Sequence, residues 1–83
     1  MPKPYGPIDT RTYTSLRQEV KRDLEHLFPN AVILTLKQAA KAYGYTDTQT
    51  AKERIGTPRI PGERRVVYYL GDIASDIAKR RLG

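Results

Sequence analysis

Residues 46–55 carry many hydrogen-bonding side chains and few apolar ones. Gln can pair with adenine and Lys with guanine through the base edges in the major groove of duplex DNA. We therefore predict base contacts from three of these side chains, namely Gln49, Thr50 and Lys52. Thr46 and Thr48 are expected to contact phosphate groups. The alternative is that the segment is an ordinary solvated helix face.

Five basic side chains outside this segment are candidates for contacts with the DNA backbone. They are Arg59, Arg64, Arg65, Lys37 and Lys41. The arginines belong to a predicted β-hairpin, and Arg is favoured where such a hairpin lies over the adjacent backbone or minor groove. The alternative for the last two arginines is an intramolecular salt bridge with Glu63 or Asp72.

The distribution of charge supports a nucleic-acid partner. The chain has 15 basic and nine acidic residues, a formal net charge of +6 and a sequence pI near 9.8. Residues 31–83 hold ten of the basic and five of the acidic residues, so most of the excess lies there. A clustered basic surface is typical of proteins that bind nucleic acids, although it can also serve solubility alone.

The composition argues against an enzyme. The chain has no Cys and one His, His26, which excludes a disulfide framework, a thiolate zinc site and a Cys nucleophile. The carboxylates are scattered singly among basic residues, and the glycines form no phosphate-binding loop. We predict no catalytic residue, no metal site and no cofactor.

No apolar stretch approaches the roughly 18–20 residues of a membrane span. We therefore expect a cytoplasmic protein that makes no membrane contact, in the bacterial nucleoid or the cytoplasm of a host cell. A chain of 83 residues fits one small domain.

The N-terminal third is predicted to contain an arm and a helix. Residues 1–14 include three prolines and predict a flexible arm, and residues 15–83 predict one domain. An accessory helix is expected over residues 15–28, with Ser15 and Gln18 forming a capping box. Its apolar stripe consists of Leu16, Val20, Leu24, Leu27 and Phe28. This stripe must pack on the domain, on a second copy, or on an acidic partner protein.

Two short helices are predicted next. Residues 31–34 form either a brief strand or an extended lead-in. A helix over residues 36–43 should begin at a Thr35–Gln38 capping box and end at Gly44. A helix over residues 47–55 should begin at a Thr46–Gln49 capping box and end before Gly56. Two helices joined by a short turn are typical of a helix-turn-helix.

A hairpin and a last helix complete the prediction. The hairpin spans residues 57–70, with a turn at Pro61–Gly62 and a return strand over residues 66–69. The last helix is expected over residues 72–81, with an acidic first turn and a basic last turn that suit the helix dipole.

Three segments together resemble the winged helix-turn-helix of phage and mobile-element excisionases and AlpA-type regulators. The segments are Leu34–Ala40, Tyr43–Thr46, and Arg59–Tyr68 with Asp72–Ile73. A pyocin-activator-like regulator has a similar layout. The resemblance covers residues 34–81 and leaves the first helix unexplained.

The resemblance implies an α+β, mainly α, fold: a winged helix-turn-helix with an extra N-terminal helix and a two-stranded wing. It implies a sequence-preferring double-stranded DNA-binding protein that directs recombination, as excisionases do, or regulates transcription from a mobile element. It also implies copies bound cooperatively on adjacent sites, DNA bending, and an integrase as a further partner. The alternative from the residues themselves is an adaptor that docks an acidic partner through the first helix.

Overall fold

The computed structural model describes residues 10–56 and 58–83. Within them it shows a small, mainly helical α+β structure with four helices and a two-stranded antiparallel sheet. The elements in chain order are α1 (Thr10–Leu27), β1 (Ile33–Thr35), α2 (Leu36–Tyr43), α3 (Thr48–Ile55), β2 (Val67–Tyr69) and α4 (Leu70–Leu82).

Helix α1 is longer than the sequence pattern predicts. It begins at Thr10, so residues 10–14, assigned to a flexible arm, are helical, and Ser15 lies inside the helix and not at its cap. Residues 10–14 contain neither Pro nor Gly, so no helix-breaking residue stops the helix from extending toward the N-terminus. The rest of the predicted arm, residues 1–9, lies outside the described residues.

The apolar stripe of α1 packs along α4 of the same chain. Val20, Leu24 and Phe28 are buried in the core, whereas Leu27 is exposed. A polar contact fixes the same pair of helices, since Arg17 Nε donates to Ser75 Oγ at 2.6 Å. The prediction that this helix packs on a partner surface is therefore confirmed, and that surface is α4 of the same domain.

The start and end of α2 agree with the prediction. Thr35 Oγ1 accepts from the Gln38 N–H at 3.2 Å, and Gln38 Oε1 accepts from the Thr35 N–H at 3.0 Å, which completes the capping box. Gly44 ends the helix at φ 88°, and its N–H donates to the Ala40 carbonyl. A left-handed φ of this kind favours Gly because it has no Cβ.

The sheet differs from the predicted hairpin. Strand β2 pairs with β1, and Leu34 and Tyr68 lie opposite each other at the buried centre of the pair. The other arm contributes one bridge, Arg59 to Tyr68, with the Ile60 N–H donating to the Val67 carbonyl at 2.9 Å. The flanking residues Pro58 and Pro61 have no N–H to donate, which limits this arm to a single bridge. The predicted first hairpin residue, Thr57, lies outside the described residues.

Helix α4 begins at Leu70, two residues before the predicted start, and continues to Leu82. Its buried side is formed by apolar residues at helical spacing, namely Leu70, Ile73, Ala74, Ile77 and Ala78. Within the described part of the chain, no helix is both long and apolar enough to cross a membrane.

Candidate nucleic-acid interface

Helix α3 turns most of its polar side chains outward. Only Ala51 and Ile55 are buried, and they lie one turn apart on the side that faces the core. At about 100° per residue, Glu53 lies opposite this buried side, with Gln49 one turn before it. Gln49, Lys52 and Glu53 are all exposed. The helix is therefore held to the domain by one apolar edge and leaves its hydrogen-bonding groups accessible.

The N-terminus of α3 is capped by Asp47 and not, as predicted, by Thr46. The Asp47 carboxylate accepts from the N–H groups of Gln49 and Thr50 at 3.2 Å each, and from Thr50 Oγ1 at 2.9 Å. These three hydrogen bonds lower the pKa of Asp47, with the Thr50 hydroxyl as the largest cause. A carboxylate is a better acceptor than a hydroxyl, so Asp47 displaces Thr46 from the cap. Its charge also blocks this helix N-terminus to phosphate.

Asp47→Asn should remove the ionisation but keep a good capping side chain. Because the folded-state pKa of Asp47 is lowered, the charge stabilises the wild type above the ordinary pKa of Asp. We expect the wild type to be more stable than the variant near neutral pH and to lose this advantage as pH falls through the lowered pKa. Thermal melts of both proteins over the acidic range test this, and a difference independent of pH would contradict the cap.

The predicted threonines differ in their availability. Thr46 is exposed in the connection between α2 and α3, and Thr48 is exposed at the first position of α3. Thr50 is half-buried, and its hydroxyl donates to Asp47. Thr50 can therefore contact a base only through its methyl group or as an acceptor, which is a weaker role than the predicted one.

Glu53, which the sequence prediction did not select, lies at the centre of the outward face of α3. Gln49 Nε2 donates to Glu53 Oε1 at 3.2 Å, which joins the two outermost side chains of the helix. The sequence does contain a signal for this pair, because residues four apart on a helix are neighbours. Asp47 at the N-cap and Glu53 also balance Lys52 and Arg54, so residues 47–55 carry no net charge.

Residues 61–66 form a basic loop between Ile60 and β2. The turn at Pro61–Gly62 is present, with Gly62 at φ 81°. Arg64 and Arg65 are exposed. Neither forms an ion pair with Glu63 or Asp72, since the salt bridge found across the described residues joins Arg80 to Asp76. Both guanidinium groups are accessible to an anionic partner.

Arg59 lies between α3 and the basic loop. Its N–H donates to the Gly56 carbonyl at 3.2 Å, directly after the end of α3, and its side chain is exposed. Burial raises the pKa of Tyr68, the bridge partner of Arg59, and the positive charge of Arg59 opposes this increase. Arg59 therefore places an exposed cation in the segment that connects α3 to the basic loop.

Lys37 and Lys41 are exposed one turn apart on α2, which packs against α3. No hydrogen bond in the described part of the chain joins these lysines to the polar side chains of α3. The structure thus places all the predicted cations on the surface, but distributes them over α2, α3, Arg59 and the basic loop.

Arg80 ties the end of α4 to α2 and α3. It forms a 2.8 Å ion pair with Asp76, donates to the Arg54 carbonyl at 2.7 Å, and lies 5.0 Å from the centre of the Tyr43 ring. The Tyr43 hydroxyl donates to Asp76 at 2.6 Å, and burial and this hydrogen bond raise the pKa of Tyr43. Arg80 is therefore a structural cation that holds α3 in place.

No family model, curated protein or solved structure matches the chain. Over the residues that the structure describes, His, Asp and Glu side chains do not assemble in a group of three or more that could hold a metal ion.

Proposed function

We propose that this protein binds double-stranded DNA with a sequence preference, with α2, the 44–47 connection and α3 acting as a helix-turn-helix. The observation that carries the proposal is the exposure of α3. This helix buries only Ala51 and Ile55 and presents its polar side chains outward. A helix with side chains of this kind fits the major groove, where they can contact base edges.

The basic loop at residues 61–66 supports the same proposal. Arg64 and Arg65 are exposed and form no ion pair within the described residues, and Arg59 lies beside the end of α3. We propose that this loop acts as a wing that contacts the phosphate backbone next to the groove occupied by α3. The wing then supplies most of the affinity, whereas α3 supplies the base preference.

A domain of this size covers only a short DNA site, on the order of 600–1,000 Å² of protein surface. We propose that several copies bind adjacent sites, in an excisionase-like architectural complex that includes an integrase or in the regulation of a mobile element. The adaptor alternative requires an accessible apolar stripe on α1. Val20, Leu24 and Phe28 are instead buried in the core of this chain, whereas Leu27 is exposed, so most of this stripe is not accessible to a partner protein.

Gln49→Ala and Lys52→Ala test the base-reading role of α3. Each substitution should cost about 1–3 kcal/mol on a preferred duplex and little on random duplex, because base contacts are lost while phosphate contacts remain. The preferred duplex is first selected from a randomised library with the wild-type protein. Binding is then measured by fluorescence anisotropy.

Gln18→Ala, at an exposed position of α1, is the matched control and should bind both duplexes as the wild type does. An equal loss on preferred and random DNA would remove Gln49 and Lys52 from the reading role.

A further inference from the structure

Glu53 lies at the centre of the outward face of α3, the face that the proposed helix-turn-helix would present to the major groove. It lies opposite the buried Ala51 and Ile55, and its side chain is exposed. A carboxylate there faces an electronegative polymer, so it must either oppose binding or meet a hydrogen-bond donor. Cytosine is the base that presents only a donor, the N4 amino group, in the major groove.

Helix stability does not explain a carboxylate at this position. Glu53 lies in the last turn of α3, where the helix dipole favours cations over anions. Its hydrogen bond in the described structure is the one from Gln49, and an exposed pair of this type stabilises a helix only slightly. The helix dipole and this hydrogen bond oppose each other, so helix stability alone gives no preference for a carboxylate over a neutral residue here.

The hydrogen bond from Gln49 prepares Glu53 for a contact with a donor outside the chain. A carboxylate only accepts, so the Gln49 amide must turn its NH₂ group toward Glu53. This bond holds Oε1 of Glu53 at 3.2 Å from Gln49 and leaves Oε2 free to accept from another donor. Gln49 thus acts as a positioning residue for Glu53 in addition to its own predicted base contact.

We propose that Glu53 is a specificity-determining residue that selects a C·G base pair by accepting a hydrogen bond from cytosine N4. The inference rests on the proposed function. The same carboxylate repels phosphate and the acceptor-rich edges of other bases, so it also lowers affinity for DNA that lacks the correct pair. Discrimination then comes partly from rejection of the wrong sequence.

The test compares wild type with Glu53→Gln, which keeps the size of the side chain and removes its charge. Each protein selects duplexes from a randomised library. Affinity is then measured on the selected duplex, on a copy in which one C·G pair becomes T·A, and on random duplex. Glu25→Gln, which removes an exposed carboxylate on α1 outside the proposed interface, is the matched control.

We expect one C·G position at which the wild type discriminates against T·A by about tenfold or more, and at which Glu53→Gln loses this preference. Glu53→Gln should also bind random duplex more tightly than wild type, whereas Glu25→Gln should retain the C·G preference and the wild-type affinity for random duplex. Selection of the same site by wild type and Glu53→Gln, with the same discrimination, would overturn this inference and leave DNA binding intact. Absence of duplex binding by the wild type would overturn the proposed function as well.

Discussion

Replacement of both Arg64 and Arg65 by Ala is expected to weaken binding to every duplex, whatever its sequence. The slope of log K against log salt concentration should fall in magnitude by about 2, because each lost phosphate contact removes about 0.9 from the slope. Both side chains are exposed and form no ion pair within the described residues, so their removal should leave the fold intact. Affinity measured across a series of salt concentrations gives the slope directly.

The matched control removes two basic residues from a helix outside the proposed interface. Lys21→Ala with Arg22→Ala changes the net charge by the same amount on α1. This control should leave the slope unchanged. Equal slopes for the wild type and the Arg64, Arg65 variant would show that the 61–66 loop does not contact phosphate.

Leu24→Asp should unfold the domain. Leu24 is 3% exposed in the core between α1 and α4. The substitution removes its apolar contacts and buries a carboxylate without a partner, at a cost of about 4 kcal/mol or more. Small domains have total stabilities on the order of 5 kcal/mol, so little folded protein should remain. Circular dichroism melts and the dispersion of amide NMR signals measure the loss.

Leu27→Asp provides the control for this substitution on the same helix. Leu27 is 48% exposed, so the new carboxylate remains solvated and the domain should stay folded. A Leu24→Asp variant that has the same oligomeric mass in solution and the same melting temperature as the wild type would contradict the packing of α1 on α4.

The parts of the fold that local chemistry specifies could be predicted from the sequence. The Thr35–Gln38 capping box and Gly44 define α2 because a cap needs a particular side chain at a particular spacing. The buried stripe of α4 follows from apolar residues at helical spacing. These signals act over one or two helical turns and depend little on the rest of the chain.

The pairing of the strands could not be predicted in the same way. The hairpin pattern pointed to residues 57–70, but β2 pairs with β1, which lies more than 30 residues earlier. Strand β2 uses both of its edges, because Tyr68 lies opposite Leu34 of β1 and also forms the bridge with Arg59. The two prolines of the nearer arm restrict its hydrogen bonding, whereas the pairing with β1 depends on tertiary position, which local sequence patterns do not report.

The candidate site was predicted in outline and not in its details. Gln49 and Lys52 are exposed on α3, as expected, and the basic residues of the loop are free of internal ion pairs within the described residues. Asp47 and Thr46 both suit a helix N-cap, and the sequence pattern favoured the wrong one. The choice of Asp47 as the cap engages the Thr50 hydroxyl in a hydrogen bond. The contact between Gln49 and Glu53 follows from their i,i+4 spacing, which the sequence already contained.

If α3 and the 61–66 loop form one surface for duplex DNA, both should respond when the selected duplex binds. Titration of ¹⁵N-labelled protein with that duplex, followed by amide NMR spectra, measures the response residue by residue. We predict that the largest shifts fall on residues 48–54 and 61–66, with the outward face of α1 unchanged. Shifts confined to α1, or the absence of any shift at saturating duplex, would rule out this surface.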